Sequence, residues 1–377
     1  MKIMGIEDIL MFDETLFKDT TIFDLDYVPE TYNFRDQQME AMAYEIRPAL
    51  RGSMPGHSVI LGTCGTGKTT AVKKVFEMVE KTSESVVCCY INCQINNGKF
   101  SIFSQIYKKI FGYKPPETGV PFLRIYNQIM EKLVSNNQSL IVALDDANFI
   151  FESKKGNEIF YYLLRAHEEF PNVKTGLFVV IPDFEFRYAL DKTVKTVFIP
   201  QEVVFEPYTY DEINSILSDR AKIGFYPDVI DDDIIEQISE YTYENGDLRV
   251  GIDLLKSCGN IAESEASKKI TEEHFKKAIE KHVSSTVKEA IKILNDNELE
   301  LLNAIIEESK NIEKNKILTS TRVFKKFKNK KNSSYSTLKR TLDKLEFLRL
   351  IDTKLSGKGV RGKTTYIYLR FNPDDLD

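Results

Sequence analysis

The stretch Gly62-Thr63-Cys64-Gly65-Thr66-Gly67-Lys68-Thr69 limits what this chain can fold into more than any other. It fits G-x-x-x-x-G-K-[ST], a spacing that works only where a strand enters and a helix leaves. Ser58-Val59-Ile60-Leu61 supplies the apolar run before it, and Thr70-Ala71-Val72-Lys73-Lys74-Val75-Phe76 the helical run after it. The glycines let successive backbone N–H groups turn toward one point. The following helix adds its positive end, so the loop cradles phosphates. Residues Gly62 to Thr70 are therefore nucleotide-binding candidates. Lys68 reaches the β- and γ-phosphates and the Thr69 hydroxyl ligates Mg²⁺. The expected cofactors are ATP or ADP with Mg²⁺.

Four further short apolar runs follow: Val86–Ile91, Leu140–Leu144, Gly176–Ile181 and Glu202–Phe205. They are rich in β-branched residues and continuous, as strands buried on both faces are. Helical patterns over 102–111, 121–134 and 157–170 separate them. The expected fold is α/β, a parallel sheet with helices on both faces. The third strand ends in Asp145-Asp146, about 75 residues after the P-loop. This is a Walker B pattern: Asp145 holds the Mg²⁺ shell and Asp146 orients or polarises the attacking water. Lys68 and Asp146 are the catalytic candidates.

Beyond Pro207 the sheet-like runs stop, and helical patterns over 210–223, 229–243, 247–262 and 271–283 predict an α-helical lid. Ser284-Ser285 is expected to break the last of these. One or two helices at 286–308 and further helices at 318–328 and 333–347 precede strands near Leu350–Lys354 and Thr364–Arg370. Three helices and a hairpin form a winged helix. From Lys310 to Arg370 there are 18 Lys/Arg against 4 Asp/Glu, a net of +14, while the rest of the chain carries −20. A basic segment on an acidic body predicts that duplex-DNA contact is concentrated there. In the third helix Leu338, Leu342, Leu345 and Leu348 form a core stripe, leaving Ser336, Arg340 and Lys344 opposite and Thr337 at the margin. Lys358, Arg361 and Lys363 lie in a glycine-rich wing and can reach phosphates or a minor groove.

At 377 residues the chain exceeds one ordinary core. The expected division is an N-terminal arm over 1–20, held loosely, a nucleotide-binding α/β domain over 21–206, a lid over 207–284 and a winged helix over 285–377. No apolar run reaches membrane-span length, and the start of the chain turns acidic before a signal-type core could form. Five cysteines, at 64, 88, 89, 93 and 258, have no zinc-site spacing and suit a reducing cytoplasm, here at the nucleoid.

Ordered along residues 15–370, further matches join these motifs. They are Leu25-Asp26-Tyr27-Val28-Pro29-Glu30, Arg35 with Gln38, Gly52 with Pro55, Asn92-Cys93, Phe205 with Pro207-Tyr208, and Gly246-Asp247-Leu248-Arg249. In this the chain resembles the archaeal replication-initiator family similar to origin recognition complex subunit 1 and cell division control protein 6, an AAA+ family. The resemblance implies that Val28, Pro29 and Arg35 hold the adenine base and that Arg249 is a sensor 2 arginine reaching the γ-phosphate. It also implies grip on origin DNA by the winged helix and by an insertion within 94–121, and recruitment of the replicative helicase. Asp146 stands where the family has Glu, Pro182 at the polar sensor 1 position, Thr193 (between Lys192 and Lys195) at the arginine finger, and Phe34 where His precedes the arginine. These departures predict slow hydrolysis acting as a switch. A promoter-bound regulator with the same parts, and an AAA+ ATPase that does not bind DNA, are the competing readings.

Overall fold

The structure is a computed structural model that describes residues 15–116, 118–152, 155–182, 190–310, 318–330, 335–348, 350–355 and 365–371. The chain divides into two compact units, Met1–Gly259 with Ala266–Ile270, and Asn260–Glu265 with Thr271–Asp377.

In the first unit, β1 (Ser58–Leu61), β2 (Val86–Asn92), β3 (Ser139–Asp145), β4 (Thr175–Ile181) and β5 (Gln201–Val204) form one sheet in the order β2-β3-β4-β1-β5. Every pairing is parallel. Alternate residues feed opposite cores, as the two-residue period of a strand requires. Val59, Leu61, Leu140, Val142 and Leu144 join one core, and Ile60, Ile141, Ala143 and Val203 the other. Against the second core pack α1 (Asp36–Leu50) and α2 (Lys68–Thr82); against the first pack α3 (Lys99–Phe111), α4 (Phe122–Ser135) and α5 (Gly156–Leu164). Each fully buried Ile, Val or Phe contributes about 1.5–3 kcal/mol, so the two cores fix the strand register that places the loops. All five expected strands are present. The single helical pattern over 157–170 is two pieces, α5 and a turn at Ala166–Glu169, with Arg165 between them.

His57, just ahead of β1, ties its ring to β4. Its Nδ1 accepts the Leu177 amide at 3.1 Å, and Phe198 lies 5.8 Å away, centroid to centroid. Burial drops its pKa to about 4 from 6.5. The native ring thus refuses a proton that the unfolded chain accepts below about pH 6.5, so this contribution to stability is lost as pH falls from there toward 4. The loss is expected to reach about 3 kcal/mol. Denaturant titrations at several pH values should show a steeper acid loss in the wild type than in His57→Gln; equal slopes would remove His57 from the account.

Three helices follow the sheet: α6 (Tyr210–Gly224), α7 (Asp232–Asn245) and α8 (Leu248–Ser264). A capping box opens α6, with the Thr209 amide donating to Glu212 Oε2 at 2.9 Å. The chain ahead of the sheet packs on these helices. Phe17 and Phe23 pack at a tilt against Phe225, the Lys18 and Asp19 amides both donate to the Gly224 carbonyl, and Asp24 pairs with Lys256 at 2.6 Å. The loosely held arm expected to residue 20 is therefore docked from Thr15 on, because its aromatic residues bury against α6. Residues 1–14 lie outside the described part.

The second unit contains α9 (Glu272–Lys292), α10 (Asp296–Lys310), α11 (Ser320–Lys330) and α12 (Tyr335–Phe347). A small antiparallel sheet in the order β6-β8-β7 joins them: β6 (Leu318–Thr319), β7 (Ile351–Leu355), β8 (Thr365–Leu369). The break expected at Ser284-Ser285 does not occur; α9 runs through it. Val283, Val287, Ala290 and Ile291 keep helical spacing across the serines and join one apolar cluster. Serine costs a helix only about half a kcal/mol, less than that burial returns.

Candidate functional site

The P-loop follows β1 at the carboxyl end of the sheet, where crevices of open α/β sheets lie. Three of its glycines have positive φ: Gly62 at 150°, Gly65 at 75° and Gly67 at 89°. At Gly67 a Cβ would strike the Tyr32 hydroxyl and stand 2.6 Å from that of Tyr208. Both the backbone angle and the closeness demand glycine. Lys68 opens α2, and its Nζ donates to the carbonyls of Gly62 and Thr63 at 2.6 and 2.7 Å. Burial lowers its pKa, while Cys64, Asp145 and Asp146 oppose that shift. Cys64 and Thr70 stay with the loop and the first turn of α2, and Thr66 turns its hydroxyl back to Thr63 O at 2.9 Å.

Asp145 ends β3 with 3% of its surface exposed. Its Oδ2 accepts from the Thr69 hydroxyl at 2.6 Å and from the Tyr90 hydroxyl at 2.7 Å; its Oδ1 accepts from the Asp146 amide at 3.1 Å. One carboxylate and one hydroxyl are hard oxygen donors, the kind that hold Mg²⁺ together with substrate phosphates. Among the described residues no group of three His, Cys, Asp or Glu is gathered as a protein-only metal site. Asp146 sits at φ 53°, an uncommon angle for a residue with a side chain. Burial and the Asp145 carboxylate raise its pKa, against the pull of Lys68, Arg249 and the Asn92 side chain. Pro182 is exposed just past β4. Thr193 is in a short helix, Lys192–Lys195, and its carbonyl accepts from Arg165 at 3.2 Å.

The lid meets the loop through Asp247 and Arg249. Gly246 ends α7 at φ 68°, turning the chain so that Asp247 lies against Gly65. Arg249 Nη2 and Nε pair with Asp247 at 2.6 and 3.0 Å, and this partner holds the guanidinium protonated above its usual range, with Cys64 adding to the effect. Below the loop is Arg35, 4% exposed. It donates to Thr66 O at 3.2 Å and Glu206 O at 2.8 Å, and its guanidinium lies 3.8 Å from the Tyr208 ring centroid. Tyr32 donates to Gly67 O at 2.7 Å. Val28 and Pro29 are half-buried, and Lys74 of α2 donates to Pro29 O at 3.1 Å. Lys68, Thr69, Asp145, Asp146 and Arg249 thus converge. Arg35 is turned into the protein as a brace for the loop. Tyr32, Tyr90, Tyr208 and Asp247 were missed as site residues; Tyr208 and Asp247 stood inside matched motifs, whereas no spacing singles out Tyr32 or Tyr90.

In the second unit Leu338, Leu342 and Leu345 are buried, as their stripe requires, and Leu348 packs beside them. Ser336, Thr337 and Arg340 are exposed on α12. Lys344 departs from the expected DNA-facing set. Its Nζ donates to Glu298 Oε2 at 2.7 Å, and that carboxylate also accepts the Asn295 amide at 3.0 Å in a reciprocal cap of α10. A buried carboxylate opposite it explains why Lys344 turns to α10. Lys358, Arg361 and Lys363 lie outside the described residues.

A parallel sheet with a P-loop after β1, a carboxylate pair at the end of β3 and a helical part that carries Arg249 on α8 and Asp247 in the turn before it define the AAA+ class of P-loop proteins. Residues 214–280 match the family model of the Cdc6 AAA+ ATPase-type lid domain. The chain is 54% identical over 371 residues to ORC1-type DNA replication protein 2 of Methanothermobacter thermautotrophicus, covering 98% of this chain and 96% of that relative. It is 31% identical over 373 residues to the ORC1-type DNA replication protein of Thermococcus kodakarensis, covering 95% and 89%. The ORC1 protein of Aeropyrum pernix, solved in complex with DNA, shares the fold with a TM-score of 0.71 at 23% identity, covering 97% and 96%. The ORC2 protein of the same organism, solved in ADPNP-ADP complexes, gives 0.64 at 25%, covering 94% of each chain. The chain belongs to the ORC1-type DNA replication protein family.

Proposed function

We propose that this protein is a replication initiator that binds origin duplex DNA under the control of bound ATP or ADP with Mg²⁺ and helps to recruit the replicative helicase. The observation that carries the reading is the meeting of Lys68, the Thr69–Asp145 pair and the lid residue Arg249 at one end of the sheet in a chain 54% identical to an ORC1-type replication protein. Residues 21–206 serve as the nucleotide-binding part, 207–284 as the lid and 285–377 as a winged helix.

Lys68 and the backbone amides at the start of α2 bind phosphate oxygens, and Thr69 with Asp145 would hold Mg²⁺. The bound nucleotide supplies the γ-phosphate whose presence or absence the lid reads. Arg249 exchanges Asp247 for that anion, which couples lid position to nucleotide state. Asp146 orients water from a position one methylene short of a Glu, Pro182 offers no side-chain donor, and Thr193 brings no positive charge. Hydrolysis is accordingly slow, suited to a switch rather than a motor. In the winged helix Ser336, Thr337 and Arg340 face the major groove, and Lys358, Arg361 and Lys363 the backbone or minor groove.

Duplex affinity is expected to fall at least about tenfold between 50 and 200 mM salt, as release of counterions from two or more phosphates requires. Arg340→Ala should cost about 1–3 kcal/mol and relax preference at one base position. Anisotropy titrations with origin-region and scrambled duplexes measure both. Mapping the protein across the genome of growing cells tests the role itself. Sharp peaks at the start of replication support the initiator, whereas peaks confined to promoters would replace it with the regulator.

A further inference from the structure

The Asp145 carboxylate is held at both oxygens, and one of the three groups holding it belongs to neither the P-loop nor the Walker B pair. Tyr90 lies on β2, an edge strand of the sheet. The parallel register sets Tyr90 opposite Ala143 and Asn92 opposite Asp145. Tyr90 and Asp145 are therefore diagonal neighbours on one face, a separation that only a long or aromatic side chain spans. The Tyr90 hydroxyl spans it, donating at 2.7 Å to Oδ2, the same oxygen that takes the Thr69 hydroxyl at 2.6 Å. Its ring packs on the α2 side of the sheet, and Lys73 Nζ stands 4.9 Å from the ring centroid. A cation over the ring face favours that placement. The ring is thus confined by α2 and aimed at one carboxylate oxygen.

We propose that Tyr90 is a positioning residue for the Mg²⁺ site, orienting Asp145 through its hydroxyl. The proposal rests on the nucleotide reading given above. A carboxylate with Oδ1 tied to the Asp146 amide and Oδ2 tied to two hydroxyls has its rotamer set before any cation arrives. Outer partners of this kind change metal affinity by about 10–100-fold when removed. Thr69 would serve two partners at once, its hydroxyl proton on Asp145 and an oxygen lone pair on the cation. Tyr90 has no such second task and can keep the carboxylate in place throughout. Lys73 acts one step further out, by confining the ring.

The test is a Mg²⁺ titration of the full chain in the presence of a fluorescent ADP analogue, for the wild type and Tyr90→Phe. Phenylalanine keeps the ring and removes only the hydroxyl. The midpoint for Mg²⁺ is expected to rise about tenfold in the variant, with melting temperature and analogue affinity in EDTA unchanged. Lys73→Met should move the midpoint in the same direction by a smaller factor. A merely structural role would lower the melting temperature or the EDTA affinity and leave the midpoint alone. Equal midpoints in wild type and Tyr90→Phe would overturn the positioning role. So would a wild type that binds the analogue with no dependence on Mg²⁺, which leaves nucleotide binding intact. A wild type that binds no analogue at any Mg²⁺ concentration would overturn the nucleotide reading and this proposal together.

Discussion

Lys68→Ala is expected to weaken ATP and ADP binding by about 100-fold, close to 2.7 kcal/mol, with almost no change in the stability of the protein itself. The size follows from where the ammonium sits. It is half-buried between the carbonyls of Gly62 and Thr63, with the Asp145 and Asp146 carboxylates near enough to resist the lowering of its pKa by burial. A charged hydrogen bond to phosphate in such surroundings is worth more than one in water. Alanine leaves the backbone amides of the loop and the positive end of α2 in place, so residual binding of the size those groups supply should persist. Alanine is also the best helix former, so the first turn of α2 is not weakened. Isothermal titration with each nucleotide, beside thermal melts in their absence, measures both halves of the expectation. Steady-state turnover in the wild type should be slow and vanish in the variant. Unchanged affinity would dissociate the P-loop from nucleotide binding, and vigorous turnover would contradict the weakening read from Asp146, Pro182 and Thr193.

The parts of this site that were legible in the sequence are those set by short-range spacing. A glycine-rich turn between an apolar run and a helix needs only eight residues to declare itself, and the acidic pair Asp145-Asp146 stands directly after the apolar run of β3. Four of the five strands were legible as continuous apolar runs largely buried on both faces, whereas in β5 only Val203 is buried and the run Val203–Phe205 carried the signal. What escaped depends on partners far along the chain. Lys344 sits on the polar side of its helix by spacing, yet Glu298, 46 positions earlier, draws it inward. Tyr90 reads as one more strand residue until the β2–β3 register sets it diagonal to Asp145. The docking of Phe17 and Phe23 needs Phe225, some 200 residues on, before an aromatic-rich arm becomes a packed one. The serines at 284 and 285 misled for the opposite reason: local propensity was read where burial on either side decides.

Arg35 is the residue on which position and spacing diverge most, and its replacement is expected to have the largest effect on stability. The resemblance makes it a holder of the adenine base, whereas its guanidinium is turned under the loop to the carbonyls of Thr66 and Glu206, 31 and 171 positions away. Arg35→Ala would leave the buried Thr66 carbonyl and the part-buried carbonyls of Glu206 and Phe34 without a charged donor, at about 1–3 kcal/mol for a fully buried group, and would remove the cation from the face of Tyr208. A net loss of about 3 kcal/mol is expected, or about 6–12 °C in the melting temperature of a unit this size. Arg35→Lys should recover little, because an ammonium cannot donate in two fixed directions and lie flat on a ring at once. Thermal and denaturant unfolding without nucleotide is the measurement. An adenine contact alone would leave those curves unchanged and shift only the preference between adenine and guanine nucleotides. A brace should instead lower stability and weaken both nucleotides together, because the carbonyl it holds belongs to Thr66 in the P-loop, two residues before Lys68.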